Sequence, residues 1–346
     1  MTSTPGKGSQ PSPMLFFETI RGYQGAFALK AALDLDVFTA IARSGGSVTE
    51  IAGNCGASER GIRILCDYLT TLGFLNKSDG GYSLTADSAM FLDTRSPAYL
   101  GRAVNFLMHP DQFHNFKQLA ETIRKGKTAG DSHLAPEDPL WLDFARGMAP
   151  MMMPAAQAIA QHLGQALSGV PAPKVLDIAA SHGIFGITVA VQNSKAQIYA
   201  LDWANVLQVA QENARKEGVS ERHHLIPGSA FDADIGHGYD AVLITNFLHH
   251  FDLVTNASLL KKFFASMNSG GQLVILEFVP NEDRISPPPA AMFSMVMLAN
   301  TDAGNAYTFA ELARMCGNSG FRQMKLIPLE ATPYSLVVAT KPALGR

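Results

Sequence analysis

Two acids and a glycine turn are the first residues in this chain whose spacing could do chemistry. Lys174–Gly186 reads KVLDIAASHGIFG: an apolar run ending in Asp177, then small residues, then Gly183 and Gly186. That order predicts a buried strand, a tight turn and the start of a helix. Asp202 closes the next apolar run, 25 residues after Asp177. In parallel sheets an acid at this place reaches the hydroxyls of a bound ribose. A full G-x-G-x-x-G is missing, because Ala179 and Ala180 stand where its first glycine would be. Close backbone approach to a pyrophosphate is then poorly served, and a nucleoside without phosphates fits better. Further on, NFLHHFD sets His249 and His250 in a strand-to-helix turn. An imidazole there can move protons near neutral pH, or merely cap backbone groups.

These residues need a scaffold, and the composition allows one. The chain has 346 residues, 47% hydrophobic and 16% charged, enough for two domains or one large one. A formal net charge of −3 argues against binding nucleic acid or a membrane surface by bulk electrostatics. Cys55, Cys66 and Cys316 are scattered, with no CxxC pair, and read as reduced thiols with no disulfide framework and no metal site. MTSTPGKGSQPSP at the N-terminus shows no targeting pattern and predicts a loose tail. No apolar run reaches the roughly 18 residues a membrane span needs. The expected setting is reducing and cytoplasmic.

Along the chain, Met14–Ala42 carries a broad helical apolar pattern, read either as a core or as a face that meets a second copy. Ser47–Ala52 and Ser58–Phe74 form two short helical patterns, and Leu75–Lys77 and Tyr82–Leu84 flank a hairpin turn, SDGG. Helix–turn–helix plus hairpin is the winged-helix plan. Its second helix offers only Arg60 and Arg63, offset by Glu59 and Asp67, which argues for a structural or dimerising role over DNA reading. Tyr99–Lys125 and Pro139–Leu163 read as helices, the second rich in methionine. After Gly169 strands and helices alternate: strands at Lys174–Ile178, Gln197–Leu201, His224–Ile226, Tyr239–Asn246 and Gln272–Val279, which read as parallel and buried on both faces. Met324–Leu329 and Ser335–Thr340 are joined too tightly for anything but an antiparallel pair.

In this order and spacing, DIAASHGIFG, ALDW, GSAFD, NFLHHFD and GGQLVILEF resemble the class I S-adenosylmethionine-dependent methyltransferases. More narrowly, the chain is similar to the small-molecule O-methyltransferases typified by the caffeic acid and hydroxyindole enzymes and their bacterial natural-product relatives. The resemblance covers nearly the whole chain, because that family also carries an N-terminal winged-helix dimerisation domain. It implies an α/β fold: a Rossmann-like domain at 169–346 with a parallel sheet and an antiparallel C-terminal hairpin. A tail at 1–13, a mostly α winged-helix dimerisation domain at 14–105 and a helical linker and pocket wall at 106–168 would precede it.

The resemblance also implies roles. S-adenosylmethionine would be the cofactor and S-adenosylhomocysteine the product. Asp177, Ala179 and the Gly183 turn would face the methionine end, Asp202 would hold both ribose hydroxyls, and Trp203 would pack on the adenine. Ser229, Ala230, Phe231 and Asp232 match the adenine loop, and Asn246 belongs with the cofactor residues. His249 aligns with the general base and Glu277 with an acid that orients it. Trp141, Phe144, Met148, Met152, Met292, Met295 and Asn300 would wall the acceptor, a hydroxylated aromatic or polyketide-like small molecule. A methionine stripe at helical spacing is core at least as often. The expected assembly is a homodimer, with no nucleic-acid or membrane partner.

One stretch departs from the pattern. The family's second acid near the base falls on Ala306, within Gly304–Thr308. This leaves Glu277 alone behind the base, or points to an acidic phenol, a carbon acceptor or another use of the cofactor. A nicotinamide oxidoreductase would also want Asp202, but the glycine fingerprint is incomplete and the tail antiparallel.

Overall fold

Between Gly101 and Arg102 the chain divides into two units. The computed structural model describes residues 10–130, 132, 135, 137–330 and 332–343. The first unit holds α1 (Met14–Asp34), α2 (Val37–Ser44), α3 (Val48–Cys55), α4 (Glu59–Thr71), the hairpin β1 (Leu75–Ser78) and β2 (Gly81–Leu84), and α5 (Ala86–Phe91). The single helix expected over Met14–Ala42 is therefore two. Asp36 takes a left-handed φ of 54° and turns the chain between them. The break splits the apolar pattern by destination. Ala32, Val37, Phe38 and Ile41 are buried with Ile51, Ile62 and Leu69, whereas Phe16, Phe17, Ile20, Tyr23 and Phe27 stay exposed on α1. Ser47 and Ser58 cap α3 and α4 through the amides of Glu50 and Gly61.

The second unit opens with α6 (Ala103–Leu107), α7 (Pro110–Lys117), α8 (Leu119–Lys125) and α9 (Pro139–Ala166). The helix expected over Tyr99–Lys125 is cut at His109–Pro110, where proline lacks an amide hydrogen and starts a new helix capped by the His109 ring. In α9, Pro150 and Pro154 are carried within the helix, which buries Met148, Met152, Ala156, Ile159 and Leu163 along one face.

The rest is an alternating α/β layer: β3 (Lys174–Ile178), α10 (Ile184–Gln192), β4 (Gln197–Asp202), α11 (Ala204–Lys216), β5 (His223–Pro227), β6 (Tyr239–Thr245), α12 (Leu253–Ser266) and β7 (Met267–Glu277). Then come α13 (Pro288–Asn300), α14 (Phe309–Asn318), β8 (Arg322–Pro328) and β9 (Ser335–Thr340). The seven strands lie in the order β5-β4-β3-β6-β7-β9-β8. All pairings up to β7 are parallel, and β9 runs antiparallel to both β7 and β8. The last strand thus enters the sheet inside the one before it.

Burial on both faces explains the unbroken apolar strands. Val175, Ala241, Leu243 and Val274 face α9 and α10, and Leu176, Ile178, Val242 and Ile244 face α12 and α14. From β3 the connections run one way to β4 and β5, then return to β6 and β7. The strand ends at this reversal open a crevice where ligands of such sheets bind. Among the described residues no helix is long and apolar enough to cross a membrane.

Candidate active site

A cavity of about 750 Å³ lies at those strand ends. The turn after β3 forms one wall. Ala179 and Ser181 there hold left-handed φ values of 52° and 51°, each costing roughly 1 kcal/mol or more for a residue with a Cβ. Hydrogen bonds from neighbouring groups hold them in place. The Ala180 amide donates to the Leu201 carbonyl at 3.0 Å, and the Ser181 amide donates to Asp202 Oδ2 at 2.8 Å. Asp202 Oδ1 accepts the Trp203 amide at 2.7 Å. Burial pushes the Asp202 carboxyl up to about 6, against the two backbone hydrogen bonds that lower it.

Another wall segment is the loop Gly228–Asp232, whose five residues all line the cavity. It is gripped from behind. Lys262 on α12 donates to the carbonyls of Ala230, Phe231 and Ala233 at 3.0, 3.0 and 2.9 Å. An ammonium has three N–H donors, and this one spends all of them on one loop.

Opposite stands the turn after β6. Asn246 takes a φ of 51°, and Leu248–His250 forms one turn of 3-10 helix. Glu277, buried at the end of β7, serves this turn with both oxygens. Oε1 accepts the amides of Phe247 and His249 at 3.0 and 3.3 Å, and Oε2 lies 2.6 Å from His249 Nδ1. An ionised carboxylate only accepts, so Nδ1 carries the proton and Nε2 of the neutral ring is left as an acceptor. Asn256 holds the same turn by donating to the Leu248 and Phe251 carbonyls at 2.8 and 3.2 Å.

Ala306 is fully buried. The segment around it reaches the His249 turn with no acid. The Asn305 amide donates to the His249 carbonyl at 2.9 Å, and the Tyr307 hydroxyl donates to the Phe251 carbonyl. Gly304 permits that approach, since a Cβ there would lie 2.3 Å from the His249 oxygen.

Taken together, the site joins a strand-end acid, a turn held by backbone hydrogen bonds and an imidazole backed by a carboxylate on one cavity. Comparison with known proteins agrees. A family model described as the O-methyltransferase dimerisation domain matches residues 17–94, and one described as the O-methyltransferase domain matches residues 120–322. The chain belongs to the O-methyltransferase family. A protein from Nostoc punctiforme PCC 73102, assigned as an O-methyltransferase, has a crystal structure 50% identical in sequence with a TM-score of 0.91, covering 96% of this chain and 100% of that one. Human N-acetylserotonin methyltransferase, solved with S-adenosylmethionine, shares the fold at 20% identity, with a TM-score of 0.84 over 98% of this chain and 100% of that chain. Among curated proteins, the 3-hydroxy-5-methyl-1-naphthoate 3-O-methyltransferase of Streptomyces sahachiroi is 26% identical over 98% of this chain and 99% of its own.

The cofactor of this O-methyltransferase is S-adenosylmethionine, and the cavity fits it. A carboxylate that could take a diol, an indole and the loop Ser229–Asp232 all stand on its lining, with Asp202 and Trp203 adjacent in the chain. Ala179 and Asn246 also line the cavity, as do Trp141, Phe144, Met148, Met152 and Asn300.

Asp177, Gly183, Met292 and Met295 do not line the cavity. Asp177 is buried behind the turn, where Oδ2 accepts the Gly186 amide at 3.0 Å and ties β3 to the head of α10. Burial pushes its carboxyl up to about 7, opposed by that hydrogen bond and reinforced by the Asp202 charge. Gly183 packs towards α11, and a Cβ on it would sit 2.9 Å from that of Ala210. Met292 and Met295 face outward on α13, 71% and 43% exposed, while Phe293, Val296 and Met297 turn inward.

His182, Gln112, Phe278 and Tyr334 line the O-methyltransferase cavity without having been singled out by sequence. His182 sits inside the glycine turn, the one place where a signal existed. Its Nδ1 accepts the Ile184 amide at 3.2 Å, its ring lies parallel to that of Phe144, and burial pushes its pKa down to about 4. His250 packs edge-on to Trp141 and is held well below its usual pKa by burial, and further by His249 whenever that ring takes a second proton.

Proposed function

We propose that His249 is the general base of this methyltransferase, taking the proton from a hydroxyl of an aromatic or polyketide-like acceptor. The observation that carries this reading is the 2.6 Å contact between His249 Nδ1 and Glu277 at the cavity wall. Glu277 holds the ring in the tautomer that accepts at Nε2, and its charge stabilises the imidazolium that forms. Bound S-adenosylmethionine supplies an electrophilic methyl group on a positively charged sulfur. The chain's part is to hold the acceptor oxygen in line with that methyl and to remove its proton, so that alignment carries much of the rate. In the same reading Asp202 takes the ribose hydroxyls, Trp203 and the Ser229–Asp232 loop take the adenine, and Ala179, Ser181 and Asn246 lie along the methionine end. Trp141, Phe144, Met148, Met152 and Asn300 wall the acceptor.

The exposed apolar face of α1 supports a homodimer through the N-terminal domain, residues 14–105. The helices of 106–168 wall the pocket and 169–346 bind the cofactor. The free thiols Cys66 and Cys316, both buried, suit a reducing, cytoplasmic setting. Light scattering after size exclusion tests the dimer, and a monomer at micromolar concentration would remove it.

His249→Ala tests the base. Turnover should fall by about 100-fold or more while affinity for S-adenosylhomocysteine stays near wild type. Product analysis on a panel of hydroxyaromatic compounds should place the new methyl on oxygen. Undiminished turnover in the variant would show that another group takes the proton.

A further inference from the structure

The acceptor side of the cavity is built from aromatic rings and a thioether, with Phe106, Phe116, Trp141, Phe144, Phe293 and Met297 on its wall. Among the described residues, Asp202 and Asp232 are the only Asp, Glu, Lys or Arg side chains on the lining, and both belong to the part of it read above as the cofactor's. Three imidazoles line it as well, and His249 is already matched by the buried Glu277 carboxylate, 2.6 Å from its Nδ1. His182 has Nδ1 committed to the Ile184 amide and is held neutral by burial, and His250 is buried edge-on against Trp141. The side-chain amides of Gln112 and Asn300, also on the lining, are partly committed as well. Gln112 Nε2 donates to the Phe106 carbonyl at 2.9 Å, and Asn300 Nδ2 donates to the Val296 carbonyl at 2.9 Å.

We infer that the acceptor is an uncharged planar aromatic hydroxyl compound, and that the cavity rejects analogues carrying a carboxylate. This rests on the O-methylation reading and narrows it. An uncharged ring gains about 25 cal/mol for each Å² of apolar surface it hides against these walls. A carboxylate on the same ring gives up its water and meets aromatic carbon, neutral imidazole and, further along, two like charges. Removing an ion from water without a counter-ion costs several kcal/mol. The acceptor hydroxyl itself enters neutral and loses its proton only beside His249, so the site handles no anion before reaction.

The test uses the full-length wild-type enzyme and three matched compounds: a naphthol, a hydroxynaphthoate with its carboxylate remote from the hydroxyl, and the methyl ester of that acid. The ester keeps the added bulk and removes the charge. Thermal shifts of the protein saturated with S-adenosylhomocysteine report binding, and product formation with S-adenosylmethionine reports turnover. The naphthol and the ester should both stabilise the complex, and kcat/KM for the acid should lie at least about 100-fold below that of its ester, as expected for an unpaired buried charge. An acid that binds or reacts as well as its ester would overturn the inference, and so would failure of both uncharged compounds to bind. Ester binding without methyl transfer would instead leave the charge selection standing and bring down the O-methylation reading.

Discussion

The turns after β3 and β6 are built with the same device and put it to different ends. Each holds residues with a Cβ in left-handed conformations, Ala179 and Ser181 in one and Asn246 in the other. Each is stapled by a carboxylate at the end of a neighbouring strand. Asp202 gives both oxygens to backbone, one to Ser181 and one to Trp203. Glu277 gives one oxygen to backbone and reserves the other for an imidazole. The first arrangement shapes a surface against which a ligand can lie. The second sets the proton on a reactive ring. In the function proposed above, what the second oxygen meets separates binding from catalysis.

Exchanging each acid for its amide should break this comparison most sharply. Glu277→Gln can still accept the Phe247 and His249 amides, but its NH₂ now faces His249 Nδ1 and forces the other tautomer. Nε2 then carries the proton, and kcat should fall by about 100-fold or more with little change in cofactor affinity. Asp202→Asn should do the reverse, raising the KM for S-adenosylmethionine by about 10- to 100-fold, the worth of a hydrogen bond to a charged group, with kcat at saturation nearly kept. Steady-state kinetics with both substrates varied checks the crossing. Equal effects on both parameters in both variants would mean that the two turns are not separable.

A smaller effect should come from Lys262→Met, which frees the Ala230, Phe231 and Ala233 carbonyls of the loop proposed to take the adenine, from a residue off the cavity lining. We expect the KM for S-adenosylmethionine to rise several-fold and kcat to hold, and calorimetry with S-adenosylhomocysteine should show the same loss. An unchanged KM would reduce Lys262 to a surface contact.

The smallest effect concerns stability. His223, at the start of β5 and away from both turns, is buried with neither ring nitrogen paired among the described residues. Burial, helped by the His224 charge, pushes its pKa from the usual 6.5 down to about 4. The unfolded chain takes up that proton first as the pH falls, so stability is present above pH 6.5 and drains away towards pH 4. The raised carboxyls of Asp177 and Asp202 act in the opposite sense over an overlapping range, since the folded form takes up their protons first. The histidine therefore has to be isolated by difference. His223→Leu should raise the melting temperature more at pH 5 than at pH 7, checked by calorimetry in the two buffers, and an equal gain at both would exclude the proton as the cause.

Much of this arrangement is legible in the residues. Strand ends can be read because each central strand is buried on both faces, which forces an apolar run that stops where the chain meets the cavity. Asp202, His249 and Glu277 therefore announce themselves as polar residues at the ends of such runs. The breaks within helices are less visible. Asp36 carries no strong turn signature, yet its left-handed φ divides one apolar pattern into a buried half and an exposed half. His182 lies in the same motif as Ala179, but whether an imidazole faces the cavity depends on the rotamer that its contact with Ile184 selects.

By itself, the sequence determined the succession of the sheet's strands, the strand-end places of the acid and the imidazole, and the family. These follow from local periodicity and from residue types at fixed spacings. Tertiary structure decided which of two acids faces the cavity, because Asp177 and Asp202 end adjacent parallel strands and only the packing of the turn between them buries one and presents the other. It also turned Met292 and Met295 outward and Phe293 and Met297 inward, since a helix with apolar residues all round has no face until its neighbours choose one.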